Sequence, residues 1–196
     1  MAFWTDTGAG NIASPKRNFR FKVQFANNTS FTTAGDLGGT EMYWAKTAQK
    51  PGFSVGSVEH MYLNHAFKFP GRVTWNDVSI TMVDPGGTQG VGYALALMLQ
   101  NAGYSVPNTS SDLQTISKES AVGATGTVTI TQLNAAGEEI ETWRLYNAFI
   151  TEAAFGTLDY GNEDLTEYSI TLKYDWAQIE TDGNTVEYKT ATSTGS

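Results

Sequence analysis

Residues 163–176 read EDLTEYSITLKYDW, and the phase of this stretch decides the fold. From Tyr168 onward, Ile170, Leu172, Tyr174 and Trp176 recur at every second position, while Ser169, Thr171, Lys173 and Asp175 take the alternate ones. Side chains alternate faces along a strand, so the stretch predicts a strand with one apolar and one polar face. At about 3.3 Å per residue it would run roughly 30 Å or more, longer than most strands. Such a strand needs neighbours on both edges and a second layer beneath it. Ile170, Leu172 and Trp176 are therefore candidate core residues. Glu167, Ser169, Thr171, Lys173 and Asp175 form the candidate polar face.

Working outward, residues 18–25 (NFRFKVQF) repeat the pattern, with Phe19, Phe21, Val23 and Phe25 on one side. Phe19, Phe21 and Phe25 join the predicted core. Residues 42–48 predict a strand closed by the Lys50-Pro51-Gly52 turn. Between 53 and 69, Phe53, Val55, Val58, Met61 and Leu63 keep no single period, which predicts an extended hairpin arm ending at the Pro70-Gly71 turn signal. Val73 and Trp75, then Val78, Ile80 and Met82, resume alternation with a phase change at Asn76-Asp77, the mark of a bulge or bend. Residues 91–104 carry Ala94, Leu95, Met98, Leu99 and Ala102 on a helical stripe, the one convincing helix of the sequence. Leu95 is its candidate core residue.

Residues 101–126 read as a long loop, 127–133 and 140–150 as strands around an Asn134–Gly137 hairpin loop, and 27–39 as a further long loop. The order of elements predicts a mainly antiparallel β-sandwich or barrel with one helix across it. The domain plan is an N-terminal arm (1–15), a β domain (16–180) carrying the 50–70 arm and the 101–126 insertion, and a flexible tail (181–196).

Composition narrows the function. The chain has 196 residues, enough for one domain with a real core, and a formal charge of −8 from 12 basic and 20 acidic residues. An acidic chain is unsuited to holding nucleic acid, because phosphates require basic neutralisation. There is no cysteine, which removes disulfides, zinc thiolates and thiol nucleophiles. The longest apolar run, Ala94 to Leu99, is far short of a membrane span, and the N-terminus lacks a signal core, so the expectation is a soluble, cytoplasmically made protein without a membrane partner.

Chemistry-bearing patterns are sparse. His60 and His65 have only Glu59 beside them, too few ligands for a metal. The acids at Glu138, Glu139 and Glu141, and at Asp159, Glu163, Asp164 and Glu167, read as solvated rims near turns rather than a glycosidase pair. No nucleophile elbow, phosphate loop or dinucleotide fingerprint occurs. The sequence thus predicts no catalytic residue, no metal and no cofactor. Trp75, Trp143 and Trp176 fall in strands, where the core claims them ahead of a sugar-stacking platform.

Residues 46–85, KTAQKPGFSVGSVEHMYLNHAFKFPGRVTWNDVSITMVDP, resemble the tail-tube proteins of contractile-tailed, T-even-like phages. The matching residues are Lys46, Pro51, Gly71, Arg72, Thr74, Trp75, Asp77, Ile80 and Thr81; residues 18–25 and the ETWRLYNAFITE and TEYSITLKYDW segments also match. The resemblance spans about residues 16–180, with the 27–39 and 101–126 regions and the tail longer than in compact members of the family.

The resemblance implies a virion structural subunit, assembled in the host bacterial cytoplasm. Its hexameric rings would join strands of every subunit into one barrel and stack into a tube inside a contractile sheath. Implied partners are further copies of the chain, sheath, baseplate and tail-terminator proteins, the tape-measure protein, and viral DNA passing without sequence-specific binding. The polar strand face would line the lumen, and the arm with Phe53, Val55, Val58, Met61 and Leu63 would touch a neighbouring subunit or ring. Six copies carry 6 × −8 = −48, a charge that repels passing phosphates if part of it faces the channel. A baseplate tube-initiator, a type VI secretion tube protein and a glycan-binding β-sandwich stand as alternatives.

Overall fold

A computed structural model describes residues 15–26, 41–42, 45–86, 90–181, 184–186 and 188. Residues 1–14 of the expected N-terminal arm, the 27–39 loop and most of the C-terminal tail lie outside these residues.

The chain begins with β1 (Phe21–Ala26), β2 (Glu41–Met42) and β3 (Ala45–Ala48), followed by the paired β4 (Phe53–Tyr62) and β5 (His65–Trp75) and then β6 (Val78–Val83). Two helices come next, α1 (Val91–Asn101) and α2 (Lys118–Thr125). The remaining strands are β7 (Thr127–Leu133), β8 (Glu139–Tyr146), β9 (Phe149–Ala154), β10 (Glu167–Lys173), β11 (Trp176–Thr181) and β12 (Asn184–Thr185). They build a six-stranded sheet in the order β12-β11-β8-β7-β1-β2, a four-stranded sheet in the order β3-β6-β10-β9, and the separate β4-β5 hairpin. The fold is mainly antiparallel β, as the alternation predicts.

The inner faces of the two sheets and one stripe of α1 form the core. Val23, Phe25, Val128, Ile130 and Leu145 come from the six-stranded sheet. Val78, Ile80, Met82, Ile170 and Leu172 come from the four-stranded sheet, and Val91, Ala94, Leu95 and Met98 from α1. Each fully buried large aliphatic side chain contributes roughly 1.5–3 kcal/mol. Phe21 is partly buried at the edge of this cluster.

The 163–176 stretch is two strands rather than one. β10 ends at Lys173, and β11 starts at Trp176 in the other sheet. The crossing is fixed at Asp175, whose N–H donates to the Tyr146 carbonyl at 3.0 Å. Its carboxylate accepts from Lys118 Nζ at 2.7 and 2.8 Å and from Asn147 Nδ2 at 2.7 Å. The change of sheet inverts the phase, so Ala177 is buried and Trp176 is 38% exposed, stacked on Tyr146 with ring centroids 5.0 Å apart. Trp176 is therefore not a core residue. Nor is Phe19: β1 begins two residues later, and Phe19, in the preceding turn, is 73% exposed with the Arg20 guanidinium over its ring.

Three further expectations change. Residues 42–48 are split between the sheets, β2 in the six-stranded one and β3 in the four-stranded one. The 101–126 region contains α2, capped by the Ser117 side chain accepting from the Ser120 N–H at 3.1 Å and closed by Gly126 at φ 71°. Its buried face is only Ala121, Ala124 and Thr125, too small a stripe to stand out as helical periodicity. Finally, the hairpin turns at Leu63-Asn64, and Pro70-Gly71 lies inside β5.

Candidate assembly interface

The outer face of the four-stranded sheet is built by register. On β10, Glu167, Ser169 and Thr171 stand opposite Val83, Thr81 and Ser79 of β6, while Ser169 and Thr171 stand opposite Ala154 and Glu152 of β9. Thr47 of β3 lies beside Thr81. The result is a hydroxyl-rich surface, because inward Val78, Ile80, Met82, Ile170 and Leu172 leave the alternate positions to Ser and Thr. Its two lysines are each beside an acid. Lys46 Nζ donates to Glu167, and Lys173 Nζ lies 3.8 Å from Asp77. Lys173 closes the strand on this face, whereas Asp175 has left it for the crossing to β11. The acidic excess of the chain is thus not concentrated here.

The sheet ends on β3 and β9, and among the described residues each has a partner on one edge only. β9 is exposed from Thr151 to Ala154. An unpaired edge offers a row of N–H and C=O groups to another chain.

The arm leaves from the β3–β6 end of this sheet. All of β4 is exposed, and in β5 only Ala66 and Trp75 are partly covered. Phe53 pairs with Trp75 and Val55 with Val73; beyond a register shift, Val58 pairs with Phe69, His60 with Phe67 and Tyr62 with His65. Strict alternation along β4 puts Phe53 and Val55 on the opposite face from Val58, His60 and Tyr62. The extra residue is in β5 at Gly71-Arg72, where a Cβ on Gly71 would come within 3.0 Å of the Gly56 carbonyl oxygen. Two apolar patches follow, a root patch on one face and a distal patch on the other. Met61 sits with Glu59 and Lys68, which pair at 3.3 Å, away from the distal patch; Leu63 is at the turn, 86% exposed.

The root is clamped twice. Trp75 packs edge-on against Phe53 with centroids 5.5 Å apart and lies 5.9 Å from Tyr174 and 6.2 Å from Tyr188. Just before β4, Lys50 Nζ donates to Glu141 Oε1 at 2.6 Å and to Gln132 Oε1 at 2.7 Å. Glu141 also accepts from Lys16 and from Trp143 Nε1, and Gln132 donates to the Arg17 carbonyl. Burial alone would push the Glu141 carboxyl up; the hydrogen bonds from Lys16, Lys50 and Trp143 override it and lower its pKa to about 2. Glu141 is therefore a buried anchor and not a solvated rim residue. Its in-phase spacing with Trp143 and Leu145 is the signal in the sequence that marks it as inward-facing.

Other acids of these clusters hold loops or pair across strands. Asp159 and Asn162 hold their own loop through Gly161 N–H at 2.9 Å and Asp164 N–H at 3.0 Å, and Glu139 pairs with Lys22 at 2.7 Å. His60 and His65 lie on the exposed arm, and no group of metal-ligating side chains occurs among the described residues. No helix among the described residues is long and apolar enough to cross a membrane.

No protein-family model matches the sequence, and no curated protein matches it. Solved structures match by shape. The anti-feeding prophage cap, a tube-terminating cap, aligns with a TM-score of 0.60 and 18% identity over 92% of this chain and 99% of its own. A chain of the sheath-tube complex of the PVC extracellular contractile injection system aligns with a TM-score of 0.60 and 20% identity over 87% of this chain and 94% of its own. The sheath/tube terminator structure of the same system gives 0.60 and 21% over 87% and 100%. The fold is the one shared by these tube-associated proteins of contractile injection systems, in agreement with the tail-tube resemblance of the sequence.

Proposed function

We propose that the chain is a structural subunit of the tube of a contractile injection machine, joined to further copies through the edges of its four-stranded sheet. The observation that carries the reading is that sheet itself. Among the described residues it presents two unpartnered edges, β3 and β9, a hydroxyl face whose two lysines are each beside an acid, and an apolar hairpin rooted at one end. Pairing β3 of one copy with β9 of the next is head-to-tail, and such contacts close into rings when the rotation permits. Closure removes the edges. The ring number of six, the stacking of rings, the enclosing sheath and the baseplate and terminator partners follow from the tail-tube resemblance. They are supported by the kinds of assembly in which the similar folds occur. The domain plan of an assembly-competent β core with a separate arm belongs to the same reading.

On this reading the hydroxyl face of Ser79, Thr81, Ser169 and Thr171 lines the channel. A wall of this kind offers a polyanion few cationic wells, so DNA, tape-measure protein or other cargo slides past it. The chain performs no reaction. A position at the end of the tube is the second reading, favoured by the likeness to a terminating cap and a terminator. Cryo-electron microscopy of the concentrated protein tests both. Stacked six-fold rings are expected of a tube subunit; single rings that cap but do not stack favour the terminal role. A protein that stays monomeric under assembly conditions and binds glycans contradicts both.

A further inference from the structure

A second apolar feature has no partner among the described residues. Between α1, α2 and β9 runs a groove of about 480 Å³, lined by Leu95, Leu99, Ile116, Phe149 and Phe155 among others, within the size range of ligand sites of about 300–1,000 Å³. Leu99, Ile116 and Phe155 are each about half exposed in it, and no residue of the arm lines it. We propose that this groove receives the distal arm patch, Val58, Tyr62, Phe67 and Phe69, of a second copy of the chain.

Position carries the argument first. The arm springs from the β3–β6 side of the four-stranded sheet and the groove lies along β9, the opposite edge of that same sheet. Donor and receptor on opposite edges make a head-to-tail contact, the geometry that propagates from copy to copy and runs alongside a β3–β9 junction. Reach agrees, since the ten residues of β4 extend about 34 Å at ~3.4 Å each.

Charge is the second argument. Residues 53–75 hold Lys68 and Arg72 against Glu59, a net +1, so the remainder of a chain of −8 carries −9. The arm is thus a cationic projection of an anionic protein, drawn towards other copies and not repelled by them. Within the groove Glu152 is the one charged lining residue, and the distal patch brings His60 and His65, both donors to a carboxylate. The register supplies the third argument: the bulge at Gly71 turns the distal patch to the face opposite the root patch, so the end of the arm addresses a surface other than the one its root packs on.

The inference rests on the tube reading for the arrangement of copies, and the absence of native cysteine allows a test that separates the two. His60→Cys protein is mixed with Ala96→Cys or Ala153→Cys protein, the latter two being small, exposed groove positions. Disulfide formation and electron microscopy are followed in the same sample, with Glu59→Cys, on the opposite arm face, as the control. The expected result is a heterodisulfide that forms faster from His60→Cys than from Glu59→Cys and is lost when Tyr62 and Phe67 are also replaced by Ser. Tubes without that heterodisulfide overturn the groove assignment and leave the tube reading standing. A heterodisulfide without tubes sustains the groove assignment and overturns the tube reading. Absence of both overturns both, and arm-to-arm disulfides in place of arm-to-groove ones overturn the assignment in favour of an arm–arm contact.

Discussion

β10 and the β4-β5 arm are both strand sequences rich in β-branched and aromatic residues, yet one is the centre of the molecule and the other is almost wholly outside it. In β10, Ile170 and Leu172 are fully buried between neighbours on both edges and a second sheet beneath. In the arm, Phe53, Val58, Phe67 and Phe69 are each 47–63% exposed, and among the described residues each strand pairs only with the other. The difference is in the supply of partners and not in strand propensity. A lone two-stranded hairpin is marginal in water, and apolar patches of this kind on a protein surface mark interaction sites. On the proposed reading, the arm is a strand pair whose second layer belongs to another molecule.

That contrast can be broken by mutation, and the core side gives the largest effect. Leu172→Ala removes a fully buried side chain and should cost about 2–5 kcal/mol, read by denaturant or thermal unfolding. A variant that melts like the parent would place β10 outside the core.

The anchor between arm and sandwich should come next. Glu141→Gln leaves Lys16 and Lys50 without their carboxylate partner. With these lysines about half exposed, the cost should be on the order of 1–3 kcal/mol. Because the folded pKa of Glu141 is lowered from 4.5 to about 2, its contribution is fully present above pH 4.5 and is lost as pH falls towards 2. The parent should therefore lose more stability than Glu141→Gln across that window; parallel pH profiles would contradict the anchor.

The smallest effect on the monomer belongs to the distal patch. Tyr62→Ser with Phe67→Ser should leave stability within about 0.5 kcal/mol of the parent, while assembly into stacked rings is lost. Unchanged assembly would return the distal patch to ordinary surface.

How far the sequence reveals this contrast depends on the element. Period two in 18–25, 78–82 and 168–172 exposes the strands directly, and the i, i+3, i+4 stripe exposes α1, because those elements bury one continuous face. The break at Asp175 is hidden, since the alternation runs through a change of sheet and only the inverted phase at Ala177 betrays it. α2 is hidden by its alanine-sized face. The hairpin tip is hidden because Leu63, at φ 54°, takes a left-handed position where glycine or asparagine is usual, while Pro70-Gly71 imitates a turn inside β5. The bulge that brings β5 into step with the two faces of β4 becomes visible only with the β4-β5 register. Of the polar positions in 167–175, all but Asp175 stay with the hydroxyl-rich sheet face.

Hydrogen exchange across residues 53–69 and 167–173, measured on monomer and on assembled protein, tests the central claim most directly. The account predicts strong protection of β10 in both states, with rapid exchange of the arm in the monomer and protection of it only after assembly. Strong protection of 53–69 before any assembly would mean that the arm already has its second layer, and would contradict the account.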